Sequence, residues 1–330
     1  MVSWSLPAQY VSGIAMLFNL FMIFIVLQHS HQHIGRYKWA LAGYASLNVL
    51  LCLVTFLSVP VEIFLDASIV IFSSGGLLSG TLLGPVLFLA LSQLWFVMIV
   101  VLFAWRYIVL CKQYWAVRIR HSVKVKVSLG TVFCTLALVY VLTGLLLSRC
   151  LKDSTRNKLL DFYPYFSEQN KTKYIVFRLD HWSGMIVIAE YTVVILVFLT
   201  ASIVYGGRIS NRIRDLKRGF SSTDAKINKQ IFVALILQTV NPLVVVSAPQ
   251  FALSVLSVTL NVAQYIPIAY PFLFSLSRLL DPVIWILTVH EFKQGVFLPI
   301  SNNCCCSGRE EEAETVHTGR QCRRVATPSQ

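Results

Sequence analysis

Long stretches without a charged side chain dominate this sequence, and the longest lies between Lys229 and Arg278. It contains 48 residues, whereas a helix that crosses a membrane needs about 20 apolar residues. The stretch therefore predicts two membrane-spanning helices with a tight reversal between them. The residues suited to that reversal are Pro249, Pro267, Asn261 and Gln264.

The same pattern repeats along the chain and gives seven apolar runs in all. Because the backbone finds no water in lipid, each run must satisfy its own N–H and C=O groups and is predicted to be a helix. The predicted fold is an all-α integral membrane protein, a seven-transmembrane helix bundle with its two termini on opposite sides. The predicted spans are 10–28, 39–61, 82–105, 127–148, 182–205, 231–255 and 262–289.

One stretch leaves the number of spans open. Residues 67–105 carry no charge and are long enough for two short spans. An eighth span would move every later loop to the other side of the membrane, including the basic loop 106–126. The serine and glycine residues at 73–76 interrupt the stretch, as turn-forming residues do, and we keep seven.

Composition agrees with a membrane protein. Of 330 residues, 56% are apolar and 13% are charged, whereas soluble domains carry about 25% charged residues. The net charge of +13 could indicate a nucleic-acid partner. We exclude that partner because the basic residues lie between the apolar runs, where positive charge holds loops on the cytoplasmic side.

The basic residues also predict the orientation. Loops 29–38, 106–126 and 206–230 together contain 15 Lys and Arg residues, against 7 on the opposite side, all of them in loop 149–181. The N-terminus is therefore predicted outside and the C-terminus in the cytoplasm. The N-x-[ST] sequon at Asn170 falls in a loop that this topology places outside, which makes it the predicted glycosylation site.

The chain divides into a receptor domain and a tail. Residues 1–303 form the predicted seven-transmembrane domain, and residues 290–303 within it could form a short helix along the cytoplasmic face. Residues 304–330 are polar and are predicted to be a disordered cytoplasmic tail. Cys304, Cys305 and Cys306 begin this tail and suit reversible palmitoylation, with idle cytosolic thiols as the alternative.

Charged residues inside the spans are the first candidates for function, because each is costly in lipid unless it is paired or hydrated. Glu190 lies in the fifth span, and Arg278 and Asp281 lie in the seventh. At a spacing of three residues, Arg278 and Asp281 can pair on one helix face. They act either as a lock between helices or as a polar switch, while Glu190 either contacts a ligand or reaches the headgroups.

The third and sixth spans carry further candidates. Arg106 follows Trp105 at the predicted cytoplasmic end of the third span, where it is an interfacial anchor or a functional group. In the sixth span, Gln238 precedes Pro242, and a proline frees a backbone carbonyl and kinks a helix. This segment is either a static kink or a hinge for the cytoplasmic end of the span.

Catalysis and cofactor binding have little support. The sequence contains no H-E-x-x-H, G-x-S-x-G, P-loop or C-x-x-C pattern. His29, His31 and His33 fall in a short predicted loop and indicate a solvated segment rather than a metal site. We expect neither an enzyme, nor a cofactor, nor a metal.

Several motifs resemble those of nematode chemoreceptors of the Str superfamily of serpentine receptors, which are G-protein-coupled receptors. The resemblance covers most of residues 1–300. It rests on Phe18-Asn19-Leu20, Ile34-Gly35-Arg36-Tyr37-Lys38, Arg106-Tyr107, the run from Ala234 to Pro242 with Pro249, and Asp281-Pro282.

The resemblance implies a chemosensory receptor of the plasma membrane, with the sensory cilium as a candidate location. It would bind an external, odorant-like small molecule among the outer halves of spans three, five, six and seven, and would activate a heterotrimeric G protein. The alternative is a ligand-gated channel or transporter. The expected pocket residues are Gln93, Trp95, Glu190, Gln264 and Tyr270. The expected switch and coupling residues are Arg106, Tyr107, Gln238, Pro242, Asp281 and Pro282.

Overall fold

The computed structural model describes residues 5–28, 37–65, 68–79, 81–112, 114–115, 123–147, 174–178, 181–219, 222–249, 266–293 and 296. Within these ranges the chain forms seven long helices, as the apolar runs predict. Six of them contain a segment long and apolar enough to cross a membrane, and the fourth has a shorter apolar stretch, Gly130–Thr143. The helices are α1 Ser5–Gln28, α2 Tyr37–Ser58, α3 Leu83–Cys111, α4 Val123–Leu147, α5 Trp182–Gly219, α6 Ser222–Pro242 and α7 Ile266–Thr288.

From Ala8 to Asn19, small and polar residues of α1 face the bundle, whereas Met22, Ile25 and Val26 fill that face nearer the end of the helix. Ala8, Ser12, Ala15 and Asn19 are buried, and their spacing of three or four residues places them on one helix face. The exposed residues of α1 include Leu17, Leu20, Phe21 and Phe24. This arrangement fits helices in lipid, where small side chains let backbones approach and polar groups bond between helices.

A three-stranded antiparallel sheet, absent from the all-α prediction, covers one end of the bundle. Its strands are β1 Pro60–Leu65, β2 Ser68–Ser73 and β3 Tyr174–Arg178, with β2 in the centre. Val61 pairs with Phe72 and Val70 with Val176, and all four are buried. Because residues 68–73 form a strand, they are not the start of an eighth span.

We call the end of the bundle that carries these strands the sheet end. The opposite end, where α3 and α5 carry Arg106, Arg208 and Arg212, is the basic end. The orientation of the bundle in the membrane stays a prediction. The predicted orientation places the basic end on the cytoplasmic side.

A close approach fixes the sheet onto the helices. A Cβ on Gly84, in the first turn of α3, would lie 2.5 Å from Ser58 Cβ and 2.6 Å from Ser73 Oγ. Such distances are too short for a side chain, so glycine allows α3 to meet the end of α2 and the end of β2 together.

The predicted loop 206–230 is wrong, because nearly all of it is helical. α5 continues to Gly219 and α6 begins at Ser222. The 38 residues of α5 extend about 57 Å at 1.5 Å per residue, well beyond a hydrocarbon core of about 30 Å. Charged residues end an apolar run, but they do not end a helix. The apolar pattern therefore predicted the segment of α5 that lies in the hydrocarbon core and not the residue at which the helix ends.

Two further predicted boundaries are described only in part. α6 continues beyond Pro242 as a π-helical turn, Leu243–Ser247, and residues 248–249 are helical, while the predicted end of the span at residue 255 lies outside the described residues. Residues 290–293 are helical and belong to the predicted surface helix 290–303. The division into a domain and a tail at residue 303 lies outside the described residues and stays a prediction.

Candidate functional site

A buried carboxylate, that of Asp281 in α7, connects three helices. Its side chain is 1% exposed. Oδ2 accepts hydrogen bonds from the Tyr44 hydroxyl at 2.5 Å and from Asn48 Nδ2 at 3.2 Å, both in α2. Oδ1 accepts one from Asn241 Nδ2 of α6 at 2.8 Å. Hydrogen bonds to both oxygens offset the cost of burying a charge, which is otherwise several kcal/mol.

The hydrogen bonds continue into α1 and α3. Asn48 Nδ2 also lies 3.3 Å from Asn19 Oδ1 in α1. On the other side, Trp95 Nε1 of α3 donates to the Tyr44 hydroxyl oxygen at 2.8 Å. Five of the seven helices therefore meet at one set of polar side chains. We call this set the Asp281 network; its members are Asn19, Tyr44, Asn48, Trp95, Asn241 and Asp281.

Arg278 lies beside the network, with its side chain fully buried. Its guanidinium carbon is 3.4 Å from the ring centroid of Trp95 and 4.0 Å from that of Phe274. A desolvated cation against two aromatic faces gains cation–π stabilisation of about 2 kcal/mol. Arg278 is also close enough to act electrostatically on Asp281. The two opposite charges thus lie together in the bundle interior, and direct pairing of their side chains stays a prediction.

Asn19 supplies a hydrogen bond that the α7 backbone lacks because of Pro282. A proline has no N–H, so the carbonyl four residues earlier loses its helical partner. That carbonyl belongs to Arg278, and Asn19 Nδ2 donates to it at 3.1 Å. The Asp-Pro pair of α7 therefore places a carboxylate and a freed carbonyl one turn apart, and α1 and α2 satisfy both.

Pro242 creates the corresponding feature in α6. Its missing N–H leaves the carbonyl of Gln238 without its helical donor, and the π-helical turn follows directly. Such turns often mark functional sites. In the turn before the proline, α6 is held to α7 by two hydrogen bonds: Asn241 Nδ2 donates to the Ser277 carbonyl at 2.7 Å, and Gln238 Oε1 accepts from Trp285 Nε1 at 3.3 Å.

Arg106 joins three helices at the basic end. It is 2% exposed, and the choice between an interfacial anchor and a functional group stays a prediction. Its Nη2 donates to Asn228 Oδ1 in α6, and its guanidinium lies 5.3 Å from the ring centroid of Tyr37 in α2. The next residue, Tyr107, faces α5 instead and packs against Tyr205 with ring centroids 5.4 Å apart.

Three of the five predicted pocket residues have described side chains, and their surroundings differ. Gln93 is half-buried, and its Oε1 atom is buried and accepts no hydrogen bond from the described part of the chain. Trp95 is fully buried and belongs to the Asp281 network. Glu190 is half-buried in α5 and acts electrostatically on Tyr140 of α4.

The remaining predicted residues fall where the structure gives no side-chain contacts. Tyr270 lies in α7, but its side chain is outside the described part. Five other predicted residues lie outside the described ranges altogether. These are Gln264, Asn170, Cys304, Cys305 and Cys306.

Sequence reasoning missed four site residues that bond to the predicted ones. They are Asn19, Tyr44, Asn48 and Asn228. A signal existed for two of them, because Asn19 and Asn48 are amides in the middle of apolar spans, where a polar group needs a partner. Nothing in the pattern could show that both would meet the seventh helix, since Asn48 and Asp281 are 233 residues apart.

Comparison with protein-family models gives a match over residues 7–297, to the family described as "Serpentine type 7TM GPCR chemoreceptor Str". The matched segment contains every residue of the Asp281 network as well as Arg106 and Asn228. Comparison with curated proteins gives no match.

Proposed function

The chain belongs to the serpentine type 7TM GPCR chemoreceptor family Str, and from this we propose that it binds an external, odorant-like small molecule and activates a heterotrimeric G protein. The family is one of chemoreceptors and not of enzymes. The proposed location is the plasma membrane, in a sensory cilium.

The proposed ligand site lies between α3, α5, α6 and α7 towards the sheet end, with Gln93, Trp95, Glu190, Gln264 and Tyr270 as its polar and aromatic residues. Support comes from Gln93, since a buried amide oxygen without a described protein donor suits a ligand that donates a hydrogen bond. Nearer the sheet end, Phe88 of α3 and Phe274 of α7 pack edge to face, with ring centroids 4.8 Å apart. Aromatic side chains on these two helices suit a site for a small, mainly apolar ligand.

The Asp281 network is the proposed route from the ligand to the G protein. Trp95 is in contact with Tyr44 on one side and with Arg278 on the other. A ligand that moves Trp95 would change the hydrogen bonds of Asp281 and, through Asn241, the position of α6. The ligand can shift this equilibrium only by its difference in affinity for the two arrangements.

The observation that carries the proposal is that α6 is hydrogen-bonded to neighbouring helices at two separate positions along its length. Near Pro242 it is held to α7, and at Asn228 it is held to Arg106. Asn228 is about 21 Å from Pro242 along the helix, at 1.5 Å per residue. A swing of about 10° about Pro242 would move Asn228 by about 4 Å, enough to break its hydrogen bond. A cleft edged by Arg106 and Tyr107 would then open for the G protein.

The test is a second-messenger assay in cells that express the receptor and respond to an active ligand. Arg106→Ala should abolish the ligand response, because the group proposed to meet the G protein is removed. Asn228→Ala should instead raise signalling without ligand, because α6 loses its bond at the basic end. A ligand response unchanged by Arg106→Ala, at equal surface expression, would reject the proposed role.

A further inference from the structure

Three cations converge where α3 and α5 meet at the basic end. Lys112 directly follows the last residue of α3, and Arg208 and Arg212 lie one turn apart on α5. All three act electrostatically on one atom, the thiol of Cys111, and all three side chains are exposed. We call Lys112, Arg208 and Arg212 the cation cluster.

The cluster is held in place by aromatic packing. Arg208 Nη1 donates to the Tyr107 hydroxyl at 3.4 Å, and its guanidinium carbon is 5.6 Å from the centroid of the same ring. Tyr107 in turn packs against Tyr205, which lies three residues before Arg208 on the same side of α5. Arg208 is therefore directed towards α3, and Arg212, four residues later, lies on the same helix face.

The cation cluster lies on a different side of α5 from the side next to α6, the helix that Arg106 contacts. A Cβ on Gly206 of α5 would lie 3.9 Å from both Phe103 of α3 and Phe232 of α6, so Gly206 marks the side of α5 that faces the bundle interior between α3 and α6. Arg208 is two residues, or about 200°, further around the helix. The cation cluster therefore lies on the side of α5 away from α6, and Tyr107 is the residue that it shares with the edge of the cleft proposed for the G protein.

Two features place the cluster at the depth of the lipid headgroups. Tyr114 and Trp115, just after Lys112, are 71% and 52% exposed, and exposed aromatic residues of this kind favour the membrane interface. The apolar part of α3 ends at Cys111, so Lys112 lies at the boundary of the hydrocarbon region. Few acidic residues on the same two helices can neutralise the cluster. α3 contains no acidic residue, and the part of α5 at the basic end contains one, Asp215.

We infer that the cation cluster binds the headgroup of an anionic phospholipid in the adjacent leaflet, and that the net negative charge of this headgroup distinguishes it from the zwitterionic phosphatidylcholine. Basic groups between helices on the cytoplasmic side bind such headgroups, and anionic lipids are concentrated in that leaflet. Two guanidinium groups one turn apart on α5 and one ammonium at the end of the adjacent α3 offer several charge-assisted hydrogen bonds to the oxygens of such a headgroup. The bound lipid would tie α3 to α5 at the basic end.

The test titrates the detergent-solubilised full-length receptor with fluorescent phosphatidylserine. Phosphatidylcholine with the same acyl chains is the neutral counterpart. Neither an odorant nor a G protein is present, so the result is independent of the signalling test above. The double variant Arg208→Gln/Arg212→Gln should weaken phosphatidylserine binding about 25-fold, at about fivefold per charge near the surface. Phosphatidylcholine binding should not change.

The matched control removes the same charge elsewhere at the basic end. Arg214→Gln/Lys229→Gln should leave phosphatidylserine binding within about twofold, since Arg214 is about 200° around α5 from Arg212 and donates instead to Asn211. Equal weakening by both double variants would show a diffuse charge effect and overturn the site. So would wild-type protein that does not distinguish the two lipids.

Two further measurements test the lipid site without the double variant. If the double variant does not fold, Lys112→Gln, beyond the end of α3, should alone weaken phosphatidylserine binding about fivefold; no change would overturn the site. Displacement of the lipid by inorganic phosphate at equal concentration would assign the cluster to a soluble anion and overturn the lipid assignment.

Discussion

Replacing Asn241 by alanine should destabilise the receptor more than the same replacement at Asn48. Asn241 Nδ2 is the described donor to Asp281 Oδ1, at 2.8 Å, and it also donates to the Ser277 carbonyl at 2.7 Å. Asn48 donates to Oδ2 at 3.2 Å, but Oδ2 also accepts the shorter bond from Tyr44. Only the loss of Asn241 therefore leaves one carboxylate oxygen without its described donor.

The expected magnitudes follow from this difference. Hydrogen bonds to charged groups contribute about 1.5–3 kcal/mol, whereas bonds between membrane helices average about 0.6 kcal/mol. Asn241→Ala should therefore cost about 2–3 kcal/mol, and Asn48→Ala less than about 1 kcal/mol. Both changes remove the same atoms, so a difference between them reports the environment rather than the chemistry of the side chain.

The assay is unfolding of purified receptor in detergent, followed by the reaction of buried cysteines with a thiol-reactive dye. Cys52 of α2 is buried and is a suitable reporter. Since large membrane proteins often unfold irreversibly, all variants are compared at one heating rate. Asn241→Ala should lower the unfolding temperature clearly, and Asn48→Ala only slightly.

A double-mutant cycle isolates the bond to Asp281. In an Asp281→Leu background, Asn241→Ala should cost only the bond to the Ser277 carbonyl, about 0.5–1 kcal/mol. The reasoning is refuted if Asn48→Ala is as costly as Asn241→Ala, or if the cost of Asn241→Ala is unchanged in that background.

Three further predictions test other contacts. Gly84→Ala should destabilise the receptor by about 1–3 kcal/mol through overpacking, while Gly130→Ala, where a Cβ would meet nothing within 4 Å, should not; equal unfolding temperatures would contradict this. Asn19→Ala should cost about 1 kcal/mol by the same assay, and less in a Pro282→Ala background, because the restored N–H can bond the Arg278 carbonyl; an unchanged cost would argue against this role of Asn19. Asn170→Gln should abolish a glycosidase-sensitive shift on gels, and a wild-type receptor without any shift would remove the support that this sequon gives to the predicted orientation.

Much of the fold could be predicted from the sequence because lipid imposes a simple rule. A segment in the bilayer must be apolar and must satisfy its backbone internally, so each apolar run indicates one helix. The rule fails where the chain leaves the lipid. It did not predict the helical continuation of α5 to Gly219. It also did not predict the strands, of which β2 and β3 lie within predicted loops and β1 overlaps the end of the predicted second span.

The candidate site divides in the same way. Asp281 and Pro242 could be selected from the sequence alone, because charges and prolines are costly inside a span and require a reason. Arg106 and Pro282 were selected because their motifs resemble those of the receptor family. The tertiary structure decided their partners. Asn19 bonds the carbonyl that Pro282 frees, and the other partners likewise lie on different helices. A local pattern identifies which groups need partners, but only the packing of helices distant in sequence determines which atoms come within hydrogen-bonding distance.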